Sequence, residues 1–214
     1  MPHRIVSGPI ANALLPPSMM PKIQRVNTGY LYSCRLLPSN LAVGDYDWFV
    51  TPQGQAGQGF TGVLTDIDTN LVNAQRVPDQ TRYEITELGF YVVGLNEAGS
   101  YSGSSLNDLQ NILGYSNLKF KKVEYEYTLG PTFLWPGGAG VYGAVAAASG
   151  TVITQAWNNG LPSPQARMKL KIPIILDPGD TFSMRLTVTT AVTIDDPTRA
   201  WLVMKGNTQS VIAR

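Results

Sequence analysis

Few residues of this chain have the chemistry that catalysis needs. Among 214 residues, His3 is the one histidine and Cys34 is the one cysteine. A Ser-His-Asp or Cys-His mechanism requires a histidine beside its nucleophile, and a zinc site requires three or four such ligands. Because His3 stands in a proline-rich N-terminal segment and Cys34 fits a core thiol, we expect no enzyme, no catalytic residue, no metal centre and no cofactor.

A calcium-like motif stands at Asp66, Asp68 and Asn70, which match the D-x-D-x-N opening of an EF-hand loop. The match ends there, because Leu71 replaces the glycine and Val77 replaces the glutamate that the loop requires. The motif is therefore not an EF-hand. A looser calcium site at these three residues remains the alternative to a capped turn.

Two glycine-containing stretches look like catalytic loops but lack the decisive residue. GQAGQG at 54–59 has no following Lys-Ser/Thr, so we expect a flexible loop and not a phosphate-binding loop. GSYSG at 99–103 has Tyr101 where a nucleophile elbow has serine. Neither stretch predicts a site.

Two pairs of neighbouring carboxylates have the residue types for acid–base chemistry, namely Glu84 with Glu87 and Asp195 with Asp196. Nothing in the sequence places either pair in a cleft. We expect solvated positions on a strand and in a turn.

Composition indicates a β-rich chain whose surface is short of charge. Charged residues make up 14%, against about 25% in ordinary soluble proteins. The 21 glycines and 15 prolines favour turns and extended segments over long helices. The net charge of +1 gives no electrostatic signature of nucleic-acid binding. Such a surface is expected where other molecules cover much of the outside.

The clearest local signal is a β-hairpin within residues 172–190. Its turn is Asp177-Pro178-Gly179-Asp180, with proline where a turn favours fixed φ and glycine where it favours positive φ. After the turn, apolar and polar residues alternate, which is typical of a strand with one buried face. The apolar set is Phe182, Met184, Leu186 and Val188.

Other stretches also alternate like strands. In residues 117–129 the apolar parity changes at Lys121-Lys122, which indicates a bulge. In the stretch before the hairpin turn, one apolar face is predicted. Its members are Met168, Leu170, Ile172 and Ile174.

One short helix is expected near residues 105–113, inserted between strands. Ser105 can cap its N-terminus, and Gly114 can end it. No second helix of comparable quality is predicted, so the fold class is all-β.

Residues 1–27 are expected to form an extended N-terminal arm, and residues 28–214 a single β-sandwich domain. The arm contains five prolines and several apolar residues, so it is barred from forming a helix yet is less polar than a solvated linker. We expect it to lie along a neighbouring surface, with a disordered tail as the alternative.

The span from Tyr127 to Ala166 contains no Asp, Glu, Lys or Arg. Glycine, serine and threonine interrupt it too often for a transmembrane helix, which needs about 20 strongly apolar residues. We expect a strand and loop buried against other subunits.

These features resemble the single jelly-roll capsid proteins of small tailless icosahedral viruses, especially bacteriophages. The resemblance lies in the proline-rich arm, the short helix, IPIILDPGDTFSMRL at 172–186 and the terminal AWLVMKGNTQSVIAR at 200–214. The stretch WFVTPQGQAGQGFTGVLTDIDTNL at 48–71 is also similar to their early strands.

The resemblance implies an eight-stranded antiparallel jelly roll that self-assembles into an icosahedral virion shell. The implied partners are other copies of the chain and other capsid proteins, in a virion assembled in the host cytoplasm, with no small-molecule substrate. The arm departs from capsids that carry a polybasic tail, because within residues 1–27 its cationic residues are His3, Arg4, Lys22 and Arg25. Contact with the genome or with an internal membrane is therefore expected to be weak.

The rival function is that of a carbohydrate-binding jelly-roll domain, such as a lectin or viral spike. Tryptophan rings can stack on sugars. Trp135 and Trp157 are the candidates because they stand in the uncharged span, and a place in the core or in an interface is the alternative for each. The remaining tryptophans are Trp48 and Trp201.

Overall fold

The computed structural model of the chain describes residues 23–92, 96–98, 106–135, 142–149, 152–158, 168–194 and 196–211. Of these residues, 59% lie in β-strands and 6% in α-helix, which confirms the predicted all-β class. In chain order the elements are β1 (Ile23–Leu37), β2 (Asn40–Leu41), β3 (Gly44–Trp48), β4 (Thr81–Val92), α1 (Leu106–Gly114), β5 (Ser116–Lys122), β6 (Tyr125–Pro131), a 3-10 helix (Thr132–Leu134), β7 (Tyr142–Ser149), β8 (Val152–Asn158), β9 (Met168–Leu176), β10 (Phe182–Val188), β11 (Val192–Thr193) and β12 (Thr198–Val211).

Eight of the twelve described strands form two antiparallel sheets of four strands each. The first sheet has the order β1-β12-β4-β9, and the second has the order β3-β10-β5-β6. The short strands β2 and β11 pair with each other, as do β7 and β8. Most neighbours within each main sheet come from distant parts of the chain, so both sheets depend on long-range pairing.

The apolar faces of the two sheets pack against each other around Trp48. This β3 side chain lies edge-on to Phe90 of β4, with ring centroids 5.8 Å apart. Its Nε1 donates a hydrogen bond to the Ala200 carbonyl of β12 at 3.0 Å. One buried indole therefore joins strands of both sheets and keeps its polar atom satisfied.

The β9–β10 hairpin matches its prediction. The Asp180 N–H donates to the Asp177 carbonyl at 3.0 Å, and Gly179 has a φ of 82°. The residues predicted to share the apolar face after the turn are all buried, namely Phe182, Met184, Leu186 and Val188.

The predicted helix is present as α1, which begins at Leu106 and ends at Gly114. Ser105, the predicted cap, lies outside the described residues. Ile112 of α1 is fully buried in the core, so the helix is fixed to the sandwich by an apolar contact.

The bulge predicted at Lys121-Lys122 is wrong, because the chain reverses there. Lys122 ends β5 and pairs with Tyr125, the first residue of β6, across a two-residue turn. Val123 in this turn has a positive φ of 55°. A hairpin turn restarts the alternation on the returning strand, so it shifts the apolar parity just as a bulge does.

The sheet begins earlier than the predicted arm boundary. Ile23 pairs with Val211 of β12, so residues 23–27 belong to β1 and not to an arm. The remainder of the predicted arm, residues 1–22, lies outside the described residues.

The loop between β3 and β4, residues 49–80, covers the free edge of β1 and is called the edge loop below. The Cys34 N–H donates to the Asp68 carbonyl at 2.7 Å, and the Leu36 N–H donates to the Gln58 carbonyl at 2.9 Å. The edge loop thus occupies donors that another strand would otherwise use.

The strands β7 and β8 form a hairpin that pairs with neither main sheet in the described part of the chain. Ser149 stands opposite Val152 at its tip. The uncharged span thus contains strands, as predicted, and its burial against other subunits stays a prediction. No helix within the described ranges is long and apolar enough to cross a membrane.

Candidate functional site

The two residues that the sequence offers for catalysis are not brought together by the described structure. Cys34 of β1 is fully buried. Burial raises the pKa of its thiol well above the ordinary value, although the nearby Arg199 guanidinium acts in the opposite direction. A buried, protonated thiol is a poor nucleophile and fits the predicted core role. His3 lies outside the described residues.

The carboxylate of Asp68, in the calcium-like motif, is engaged by protein groups. Its Oδ1 lies 2.6 Å from Nη1 of Arg199. Its Oδ2 accepts hydrogen bonds from the N–H and the hydroxyl of Thr65, at 2.9 and 2.8 Å. Asp68 therefore acts as the cap of a turn and as half of an ion pair.

The other two residues of the motif tie the edge loop to β1. The Asn70 side-chain oxygen accepts a hydrogen bond from the Tyr32 N–H at 3.0 Å, and the Asp66 carbonyl accepts one from the Tyr32 hydroxyl. Among the described residues, no group of three or more His, Cys, Asp or Glu side chains is placed to hold a metal ion. The geometry supports the capped-turn alternative for this motif.

Residues 54–59 form a loop, as predicted, and its last two residues are held against β1. The Gln58 side chain is buried, and its Nε2 donates to the Ser33 hydroxyl at 3.0 Å. Gly59 has a φ of 88°, and a Cβ there would lie 2.3 Å from the Leu36 carbonyl oxygen. The stretch is fixed because its glycine permits a close approach to β1, which a single sequence does not reveal.

The carboxylate pair on β4 does not form an acid–base centre in the described structure. Glu87 is half-buried, and its Oε2 lies 3.5 Å from the Lys205 ammonium group of β12. Glu84 is also half-buried on β4. Asp195 lies outside the described residues, so its pairing with Asp196 is outside them too.

The one candidate for sugar stacking whose side chain is described, Trp135, is buried. Trp135 is 7% exposed and belongs to the core cluster, and its indole N–H has no hydrogen-bond partner among the described atoms. Trp201 is half-buried, with Nε1 donating to the Ile67 carbonyl at 3.3 Å. The Trp157 side chain lies outside the described structure.

The outer face of the second sheet carries an ion network that the sequence pattern does not predict. Arg185 of β10 is bidentate to Asp47 of β3, with Nε–Oδ1 at 2.7 Å and Nη2–Oδ2 at 3.2 Å. Its Nη1 lies 3.3 Å from Glu126 of β6, which also pairs with Lys119 at 3.2 Å. The charges of four strands, β3, β5, β6 and β10, are thus neutralised locally.

The lateral side of the sandwich that β6 and β9 form exposes a set of large apolar side chains. This side is called the β6–β9 edge below. Both β6 and β9 are terminal strands of their sheets. Lys122 of β5 donates to the Ile175 carbonyl of β9 at 2.7 Å, so the two sheets meet on this side. The exposed members on these two strands are Tyr125, Tyr127, Met168 and Ile172.

The exposure of Ile172 departs from the single apolar face predicted for β9. Ile85 of β4 pairs with Ile174 of β9, and Glu87 of β4 pairs with Lys169 of β9. Residues 170–173 of β9 therefore stand opposite one residue of β4 and form a wide bulge. Leu170 and Ile174 pack against the core, but Ile172 is 80% exposed within the bulge. A register shift in the partner strand is not visible in the β9 sequence itself.

None of the protein families, curated proteins or solved structures compared with the chain matches it. Function must therefore be argued from the strand order and the surfaces described above.

Proposed function

We propose that the chain is a single jelly-roll capsid protein that self-assembles into an icosahedral virion shell. The observation that carries this proposal is the order of the eight strands in the two four-stranded sheets. Counted along the chain as one to eight, these strands are β1, β3, β4, β5, β6, β9, β10 and β12, and they give the orders 1-8-3-6 and 2-7-4-5. This order supports a jelly roll, in which two Greek keys fold across one another and which viral capsid proteins use.

The surface of the chain supports an assembled state. Only 14% of the residues are charged, and the stretch from Tyr127 to Ala166 has no charged residue. Along the chain, that stretch runs from β6 towards β9, the two terminal strands of the β6–β9 edge. An exposed apolar patch of this kind marks an interaction site more often than a solvated surface.

The partners in this proposal are other copies of the chain and other capsid proteins, within a virion assembled in the host cytoplasm. The N-terminal arm, residues 1–22, reaches a neighbouring subunit. With a net charge of +1, the chain makes at most weak contact with a genome or with an internal membrane.

The carbohydrate-binding alternative receives less support. Sugar stacking needs an exposed aromatic ring beside polar groups. Trp48 and Trp135 are buried, and Trp201 is half-covered by the edge loop. Among the described tryptophan side chains, none is fully exposed.

The proposal is tested by imaging the purified full chain. Negative-stain electron microscopy is expected to show closed particles of uniform diameter, and sedimentation velocity is expected to show a large discrete species. A chain that stays monomeric from micromolar to near-millimolar concentration contradicts self-assembly. A monomer that also binds glycans on an array supports the lectin alternative.

A further inference from the structure

The chain covers one lateral side of the sandwich and leaves apolar side chains exposed on the other. On the β1 side, the edge loop donates and accepts backbone hydrogen bonds with β1, for example between the Cys34 N–H and the Asp68 carbonyl at 2.7 Å. On the other side, β6 and β9 end their sheets and carry exposed apolar side chains. Proteins usually protect a sheet edge with charge, proline or a covering segment.

The apolar surface on the β6–β9 edge is large enough to matter. Tyr125 is 71% exposed and Ile172 is 80% exposed. The four exposed side chains of β6 and β9 together offer roughly 400 Å² of apolar surface, about half of the ~800 Å² that each partner buries in a specific interface. Such a patch is expected to be covered in the working form of the protein.

This edge can contact a partner by packing of side chains, but it cannot pair regularly with an added β-strand. Pro131 lacks an N–H at the end of β6, and the β5–β6 register shifts between Leu118 and Lys119. On β9, Pro173 lies within the wide bulge. Prolines and bulges interrupt the regular hydrogen-bond ladder that an added strand requires.

The charges at the two halves of the edge are opposite. Glu124 precedes β6 and is exposed, while Lys171 of β9 is exposed on the other sheet. Neither has an ion-pair partner among the described residues. A second copy of the chain therefore offers what this edge needs, since the β9 half of one copy complements the β6 half of another in both apolarity and charge.

We propose that the β6–β9 edge is a contact between two copies of the chain, in which β6 of each copy lies against β9 of the other. The arrangement is reciprocal, so a twofold axis relates the two copies. This inference rests on the proposed self-assembly and names the surface that carries it.

The first test places a charge on this edge and compares it with equally exposed positions elsewhere. Ile172→Lys and Tyr125→Lys are expected to raise the concentration for half-maximal self-association at least tenfold in sedimentation velocity. The controls are Ile67→Lys and Val72→Lys in the edge loop, where the native residues are 70% and 73% exposed. For these controls, the concentration for half-maximal self-association should stay within twofold of the value for the unmodified chain. An equal effect at edge and control positions, or no effect at either, overturns the proposal.

Thiol labelling distinguishes a second copy from a segment of the same chain. Because Cys34 is fully buried, Ile172→Cys and Ile67→Cys each add one accessible thiol. The thiol at position 172 should react rapidly in dilute monomer and at least tenfold more slowly after assembly, while the thiol at 67 reacts equally in both. Protection at 172 in dilute monomer means that the chain covers its own edge, and full reactivity in the assembly means that nothing covers it. Either result overturns the proposal.

An exchange of two charges tests whether β6 of one copy lies against β9 of the other. Glu124→Lys and Lys171→Glu should each weaken self-association about threefold at low salt, and the double variant should restore it. Failure of the double variant to recover overturns the reciprocal arrangement. These outcomes differ from failure of the proposed function, in which the unmodified chain does not self-associate at all.

Discussion

The guanidinium of Arg199 lies 2.6 Å from the carboxylate of Asp68, and both side chains are largely buried, at 13% and 5% exposed. Arg199 belongs to β12 of the first sheet, and Asp68 belongs to the edge loop. The same guanidinium also donates to the Asn96 carbonyl at 2.9 Å and lies over the Phe60 ring, 5.0 Å from its centroid. This one side chain joins the sheet to the loop that covers its edge.

Removing this arginine is expected to destabilise the protein strongly. Arg199→Met leaves the Asp68 carboxylate buried without its partner, which typically costs about 3–5 kcal/mol in the free energy of unfolding. Urea denaturation measures the loss. The control is Arg76→Met, which removes an exposed ion pair with Asp79 and should cost less than about 1 kcal/mol. Equal losses in both variants contradict the structural role of the buried pair.

The turn of the β9–β10 hairpin requires glycine at position 179. Gly179 has a φ of 82°, a conformation that β-branched residues rarely adopt. Gly179→Val is therefore expected to lower the free energy of unfolding by more than about 1 kcal/mol. Gly62→Val is a matched control, because a Cβ there meets nothing within 4 Å and its φ is not in the left-handed region. Unchanged melting temperatures in both variants would falsify this view of the turn.

The same turn makes stability depend on acidity. Burial raises the pKa of Asp180, but hydrogen bonds from Lys122 and the Asp177 N–H, together with the charge of Lys122, outweigh it and hold the pKa below its ordinary value. A carboxyl group with a lowered pKa stabilises the fold above its unfolded pKa of about 3.9, and this contribution disappears as the pH falls through the folded pKa.

The variant Asp180→Asn isolates this contribution. Its unfolding midpoint should lie below that of the unmodified chain at pH 7, and the two midpoints should converge as the pH falls well below 3.9, the ordinary carboxyl pKa. Midpoints measured by circular dichroism across the acidic range give the comparison. A constant difference between the two proteins at every pH argues against the carboxylate as its source.

The N-terminal arm is predicted to act in assembly and not in folding. Deleting residues 1–22 preserves β1, which begins at Ile23, so near-native circular dichroism is expected. An extended, proline-rich segment loses little conformational entropy on docking, which favours its use between subunits. Electron microscopy of the truncated chain should show particles that are absent or of altered diameter. Particles of unchanged diameter and stability would identify the arm as a dispensable tail.

Local signals predicted the parts of this fold that depend on neighbouring residues. The β9–β10 turn was readable because proline and glycine stand at turn positions between alternating runs. The helix was predictable because Ser105 can cap it and Gly114 can end it. By contrast, the β5–β6 turn has Val123 and Glu124 at its centre, which carry no usual turn signal, so the change of parity predicts a bulge instead of a reversal.

Non-local pairing explains what sequence reasoning missed. Both Ser33 and Cys34 are fully buried on β1, although they point to opposite faces. The edge loop covers the outer face of β1, and the sequence of β1 alone does not predict this. The Arg185 network and the β6–β9 edge likewise depend on strand order, which a single sequence does not reveal.

The edge loop limits how many ways the chain can polymerise. Fibres built by strand stacking grow only when each molecule presents two free sheet edges, one for the molecule before it and one for the molecule after it. The hydrogen bonds of the edge loop to β1 occupy one of these positions in every copy. Addition of a strand to the first sheet at β1 is therefore blocked, which removes one route to fibres.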